Sequence, residues 1–126
     1  METLDYYNKN ARVYFDKTVA TDFEKIRESF LSYVKDNAYI LDFGCGSGRD
    51  AKIFKDLGYK VDAIDGSQEL CRMATVYTGI KVKQMLFNEF HAKEIYDAVW
   101  ACASILHLPY EEILNVMQNI CDALKN

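Results

Sequence analysis

The chain has 126 residues, of which 50% are hydrophobic, 27% charged and one is proline, the profile of one compact folded domain and not of a disordered or collagen-like chain. Lys and Arg total 15 against 19 Asp and Glu, for a net charge of −4, and the basic residues are scattered; the clustered positive face that a nucleic-acid partner requires is missing. The cysteines Cys45, Cys71, Cys102 and Cys121 form no C-x-x-C and have no paired histidine nearby, so no metal is expected and a reduced cytosolic setting fits. The opening "METLDYYNKN" is polar and acidic where a signal peptide needs a basic start and an apolar stretch, and no apolar run reaches membrane-spanning length. A cytoplasmic protein without a membrane partner is the expectation.

In chain order, apolar and aromatic residues at helical spacing, with Tyr7, Ala11 and Tyr14 on one face, predict a helix from Asp5 to about Lys17. Thr21-Asp22-Phe23-Glu24 reads as a capping box that starts a second helix to about Val34, with Phe23, Ile26, Phe30, Leu31 and Val34 inward. Residues 1–36 are thus a helical cap and 37–126 a separate pattern, in which strands alternate with helices. Ile40 to Phe43 is a short buried strand; Asp50 to Leu57 is a helix stopped by Gly58; Lys60 to Ile64 is a second strand ending at Asp65-Gly66. Ser67 caps a helix to about Tyr77, stopped near Gly79; Lys81 to Met85 is a third strand and Ala98 to Cys102 a fourth. Pro109 opens a last helix with an apolar stripe of Ile113, Met117, Ile120, Cys121 and Leu124. This alternation predicts an α/β fold, a parallel sheet with helices on both faces in three layers, joined by right-handed crossovers.

The stretch "ILDFGCGSGRD", residues 40–50, puts three alternating glycines at the carboxyl end of the first strand, where open parallel sheets bind their ligands. Glycines there permit a sharp turn and remove side chains that would hold a ligand off the backbone, and amides at the start of the next helix are expected as donors. A plain tight turn is the competing reading, and the context of strand, glycines and helix favours a ligand. A dinucleotide fingerprint G-x-G-x-x-G would need its third glycine at position 49, which is Arg49.

Leu41-Asp42-Phe43-Gly44-Cys45-Gly46-Ser47-Gly48 resembles the first motif of class I S-adenosylmethionine-dependent methyltransferases, D-x-G-x-G-x-G. Asp65 at the end of the second strand is similar in position to the acid that bonds the ribose hydroxyls in that family, and Tyr96-Asp97-Ala98-Val99-Trp100-Ala101-Cys102-Ala103-Ser104 resembles the fourth-strand motif beside the methyl-transfer site. "YYNKNARVYFDKT" resembles the aromatic leading helix of small-molecule methyltransferases related to tellurite-resistance enzymes. The resemblance implies a Rossmann-like sheet of order 3-2-1-4 that lacks the last three strands of the full fold. It implies S-adenosyl-L-methionine as cofactor, with S-adenosyl-L-homocysteine as product, and a small-molecule methyl acceptor. It assigns cofactor contacts to Asp42, Gly44, Cys45, Gly46, Gly48, Asp65, Gly66, Phe87, Ala101 and Ser104, with Asp42 orienting the methionine amino group. Where the family often places an acid for the adenine amino group, this chain has Leu86, leaving Phe87 to pack on the base and Asn88 or backbone to take the amino group.

Methyl transfer is an in-line displacement that asks mainly for alignment and exclusion of water. An acceptor bearing a proton needs a base, for which His107 is the best-placed candidate, against the plainer reading of a loop histidine bonding a carbonyl. Tyr7 and Tyr14 are candidates for an aromatic lid over sulfonium or substrate, against ordinary core packing. An unpaired fourth strand would be an exposed apolar edge, so the expectation is a truncated domain that forms a homodimer through that edge or the last helix. Two other readings stay open at this point: a non-catalytic cofactor-binding or interaction module, and a nucleotide-binding oxidoreductase fragment.

Overall fold

The computed structural model describes residues 8–12, 24–101 and 109–125. Four strands, β1 (Tyr39–Phe43), β2 (Lys60–Asp65), β3 (Lys83–Gln84) and β4 (Ala98–Trp100), alternate with helices α1 (Glu24–Leu31), α2 (Arg49–Asp56), α3 (Gln68–Thr78) and α4 (Tyr110–Ala123), with one 3-10 turn at Phe87–Glu89. The strands form one parallel sheet of order β3-β2-β1-β4, the order the resemblance implies.

The two-residue period of a strand sorts the core into two layers. Ile40 of β1 joins Val61 and Ala63 of β2 and Trp100 of β4 under Ala51, Phe54 and Ala74 of α2 and α3, with Phe30, Leu31 and Val34 of the α1 region packed against them. Leu41 and Phe43 point to the other face, where Ile64, Phe90 and Tyr96 meet Val116, Ile120 and Ala123 of α4. The caps follow the sequence: the Ser67 hydroxyl accepts the Leu70 amide at 3.3 Å, and Gly79 closes α3 at φ 74°. Pro109 precedes α4 in the N-cap position.

Two inward faces differ from expectation. On α1 it is Arg27, 9% exposed, that points inward, while Ile26 is 50% exposed. The face Phe30, Leu31 and Val34 present to the sheet continues through position 27, one step from Ile26, and Arg27 is tolerated there because it has an acid to meet. On α4 the buried stripe is Val116, Ile120 and Ala123, and Met117 and Cys121 of the expected stripe are exposed. Tyr110, Leu114, Met117 and Cys121 make a second apolar stripe turned outward. The third strand is also shorter than expected, because at the sheet edge only Lys83 and Gln84 pair with β2, both exposed. The expected capping box at Thr21 and the last residue of the expected fourth strand, Cys102, lie outside the described residues.

Gly48 shows how the fold constrains the loop. Its φ is +86°, and a Cβ there would lie 2.6 Å from Thr78 Cγ2 and 3.2 Å from Ala74 Cβ, so this glycine lets α2 start against α3. Gly58, at φ +99°, has nothing within 4 Å of the same position. We expect Gly58→Ala to cost about 1 kcal/mol from the left-handed backbone alone and Gly48→Ala about 1–3 kcal/mol more from overpacking. Urea unfolding of the two variants without ligand measures the difference; equal losses would rule out the close approach.

Candidate functional site

The carboxyl ends of β1 and β2 and the loops that leave them gather three aspartates. Asp42 is the fourth residue of β1, 3% exposed, and stands in register with Trp100 of β4. Its carboxylate accepts the Ala51 amide, while its Oδ2 is buried and has no hydrogen-bond partner among the described residues. Burial, then the negative charges of Asp50 and Asp65, push the Asp42 carboxyl well above its ordinary value, and Arg49 opposes them only in part. Unpaired buried acceptors are uncommon and carry a cost of about 1–3 kcal/mol, so this oxygen marks a place where a donor is wanted.

Asp65 ends β2 and is held by backbone. Its Oδ2 accepts the Gly46 amide at 2.8 Å and its Oδ1 the Ser67 amide at 2.9 Å, and the Gly66 amide adds to them. Burial raises its carboxyl, and these three amides hold that rise back. One carboxylate therefore ties the β1 loop to the β2–α3 turn. Gly66 and Ser67 are buried with it, and the Ser67 hydroxyl donates to Asn8 Oδ1 at 2.6 Å, which brings the N-terminal segment onto that turn. Ala11 in the same segment is 3% exposed.

The glycine loop uses its amides differently from expectation. Gly44 and Cys45 both donate to the Ile64 carbonyl at 2.9 Å, Gly46 donates to Asp65, and Gly48 donates to the Cys45 carbonyl at 3.0 Å. Those four donors serve the turn and are not left over for a ligand, because the left-handed φ of Gly44, Gly46 and Gly48 curls the backbone back on β2. The loop surroundings are acidic: burial, followed by Asp42 and Asp65, also raises the Cys45 thiol well above its ordinary value.

Asp50, in the first turn of α2, is a residue the sequence reading passed over. Its Oδ1 accepts Arg27 Nη1 at 2.9 Å and Arg49 Nε at 3.0 Å, and its Oδ2 accepts Arg49 Nη2 at 2.7 Å and Trp100 Nε1 at 3.0 Å. Burial alone would raise this carboxyl, but the hydrogen bond and charge of Arg49, then the bonds from Arg27 and Trp100, outweigh it and hold it below its ordinary value. An arginine at a helical position shared with Phe30 and Val34 was the signal available in the sequence. Of the other candidates, Phe87 stacks on Phe43 with ring centroids 4.5 Å apart, so one of its faces is taken, and Ala101 follows β4 half-buried. The Leu86 amide is accepted by the Glu89 carboxylate at 2.8 Å. Tyr7, Tyr14, Ser104 and His107 lie outside the described residues. Among the described residues no cluster of three His, Cys, Asp or Glu is placed to hold a metal ion, and no helix is long and apolar enough to cross a membrane.

A parallel doubly wound sheet with a glycine loop after β1 and an acid after β2 defines the Rossmann-like class of cofactor-binding folds. Residues 40–126 match the family model described as "Methyltransferase domain", and the chain belongs to that family. It is 24% identical over 132 residues to an uncharacterized methyltransferase of Staphylococcus carnosus, covering 98% of this chain and 63% of that protein. Among solved structures it is similar to the magnesium protoporphyrin IX methyltransferase of Synechocystis with bound SAM, at 16% identity and TM-score 0.77, covering 97% of this chain and 70% of the other. It is also similar to a TehB-like SAM-dependent methyltransferase of Corynebacterium glutamicum, at 20% identity and TM-score 0.72, covering 98% and 67%. The chain thus spans less than two thirds of the curated relative.

Asp42 gives a prediction about the ligand-free protein. An acid whose carboxyl is raised on folding contributes most below its unfolded pKa of about 4, and that contribution is lost as pH rises toward the folded value. Asp42→Asn carries no titrating group at this place, so its stability relative to the wild type should rise between about pH 4 and pH 7. Denaturant unfolding across that range measures the trend, and a flat difference would show that Asp42 is charged in the free protein.

Proposed function

We propose that this chain is a methyltransferase domain that binds S-adenosylmethionine and serves methyl transfer to a small-molecule acceptor. The observation that carries the reading is the buried Asp42 Oδ2, without a partner among the described residues, beside the Gly44-Cys45-Gly46-Ser47-Gly48 loop. The ammonium of an amino-acid moiety supplies what that oxygen lacks, a donor and a positive charge, and it relieves the mutual repulsion of Asp42 and Asp65. Asp65 suits the ribose hydroxyls: a carboxylate offers about four lone-pair directions, and the three amides that hold it use only some of them. Gly66, Cys45 and the open side of Phe87 border the same crevice in this reading, with Ala101 and Ser104 after β4, Tyr7 and Tyr14 as the lid, and His107 as base for an acceptor that must lose a proton.

S-adenosylmethionine, when bound, supplies a methyl group already activated on a sulfonium. The residues then orient and enclose: Asp42 fixes the amino-acid end, Asp65 the ribose, and the turn between them sets the direction in which the methyl faces an acceptor. Positioning of this kind accounts for much of the acceleration in such displacements, without a dedicated catalytic group. Acidic surroundings and the overall charge of −4 favour a small acceptor over nucleic acid. The outward stripe Tyr110, Leu114, Met117 and Cys121 on α4 supports self-association as part of the same reading, while beside the start of β4 the chain's own Leu124 bridges Tyr96 and the Lys125 amide donates to the Tyr96 carbonyl; a monomer by light scattering at micromolar concentration would remove self-association.

A second reading is a module that binds the cofactor through the same Asp42 and Asp65 without turnover. Both readings predict thermal stabilisation by S-adenosylmethionine and S-adenosylhomocysteine and none by NAD. Asp65→Ala should weaken S-adenosylhomocysteine about 10- to 100-fold, the usual cost of losing hydrogen bonds to a charged group. Absence of any shift with either sulfur ligand would refute both, and release of S-adenosylhomocysteine in the presence of a small-molecule acceptor separates the first from the second.

A further inference from the structure

Three elements meet at Asp50. Arg27 reaches it from α1, Arg49 from the residue after Gly48, and Trp100 from the end of β4. The ion pairs are dry, with the Arg27, Arg49 and Asp50 side chains 10%, 13% and 8% exposed. The Trp100 ring is also held by packing, its centroid 4.9 Å from Phe30 of α1 and 5.5 Å from Phe54 of α2. Trp100 stands in register with Asp42 on the neighbouring strand, and Asp50 acts on Asp42 through its charge. The junction therefore touches the glycine loop at both ends: through Arg49 immediately after Gly48, and through Trp100 beside Asp42.

We propose that Asp50 is a positioning residue for cofactor binding: with its carboxylate it locks α1, the end of the glycine loop and the end of β4 into the one arrangement that presents Asp42 to the ligand. The inference rests on the S-adenosylmethionine reading above. Simple helix capping does not account for the geometry, because all four hydrogen bonds come from side chains, two of them from other elements. Bidentate Arg49 fixes the backbone on the helix side of the loop, and a bond to a fully packed indole fixes the strand side. Charge couples the junction to Asp42 as well: the Asp50 carboxylate raises the Asp42 carboxyl, and Arg49 offsets that rise only in part.

The test uses S-adenosylhomocysteine as the probe, with calorimetric titrations from pH 5 to pH 8 and melting of the ligand-free chain. The groups facing Asp42 are Asp50 and Arg49 of α2, Asp65 of β2 and the Cys45 thiol; the wild-type affinity should rise with pH as Asp42 ionises. Asp50→Asn should bind about 10-fold more weakly where the affinity levels off, as disrupted supporting shells do, and its midpoint should move to lower pH because a negative neighbour is gone. Asp50→Glu keeps the charge and misplaces it, so its midpoint should stay while affinity remains reduced. Trp100→Phe keeps the ring packing and removes one donor; it should still fold and lose about 3-fold in affinity, which keeps the test decisive if Asp50→Asn does not fold. Variants that melt lower yet bind with wild-type affinity and an unmoved midpoint would overturn the proposal and leave Asp50 a purely structural residue. A wild-type chain that binds no S-adenosylhomocysteine would instead overturn the reading beneath it.

Discussion

The constraint on which the site depends is the burial of a carboxylate inside the first strand. Asp42 occupies a position that the strand period assigns to the core, between Ile40 and the loop, and it faces the same layer as Trp100. A charge placed there needs compensation that the rest of the core does not offer. Neighbouring aspartates are compensated, each by a different means: Asp50 by two guanidinium groups and an indole, Asp65 by three backbone amides. Asp42 receives one amide. This unequal provision leaves Asp42, among the described residues, as the acid of the three with a buried oxygen unmatched.

The same unevenness distinguishes this loop from a phosphate cradle. A pyrophosphate site presents backbone amides to the anion. Here the amides of Gly44, Cys45 and Gly46 are spent on the Ile64 carbonyl and the Asp65 carboxylate, and the groups bordering the loop are acids. An anion would meet Asp42 and Asp65; an ammonium meets one unpaired oxygen. Arg49 at the position where a dinucleotide loop needs glycine reinforces the distinction, because its guanidinium is engaged by Asp50 in the adjoining layer. Gly48, the glycine nearest to it, is needed for the approach of α2 to α3.

Much of this was legible in the sequence because it depends on local chemistry. The Ser67 cap, the Gly79 stop and the strand alternation follow from residue types at fixed spacings, the strand order from the family resemblance, and each is present. Less legible were the features decided by partners distant in the chain. Ile26 and Arg27 differ by one step of helical phase, and only Asp50, 23 residues on, makes the arginine the inward residue. The α4 stripe turned by one position for a similar reason, since Leu41, Phe43 and Phe90 select Val116, Ile120 and Ala123 as the faces that fit. In the loop, glycine announced a turn but could not say where its amides would go, because their acceptors, Ile64 and Asp65, belong to β2. Asp65 was legible by its place at a strand end; its role as a tie between two loops was not.

The opposite end of the sheet supplies the contrast that locates the site. There Asp62 accepts the hydroxyls of both Tyr39 and Tyr96, and Asp97 accepts the Tyr39 amide at 2.8 Å and pairs with Lys35 and Lys125 at 3.2 and 3.7 Å. Burial and the Asp62 carboxylate push the Tyr39 phenol to about 12, so it stays a donor throughout the neutral range. Lys60 lies over the Tyr39 ring, 4.2 Å from its centroid, closing the group with a further cation. Among the described residues, Asp62 and Asp97 at that end are matched by donors and cations from the same chain, which stiffens the strand starts. At the strand ends the matching stops one group short, at Asp42. Among the described residues, a fold that satisfies its buried acids at one end and leaves one oxygen unsatisfied at the other concentrates its unspent interaction energy where the loops open, beside the junction that Asp50 makes with Arg27, Arg49 and Trp100.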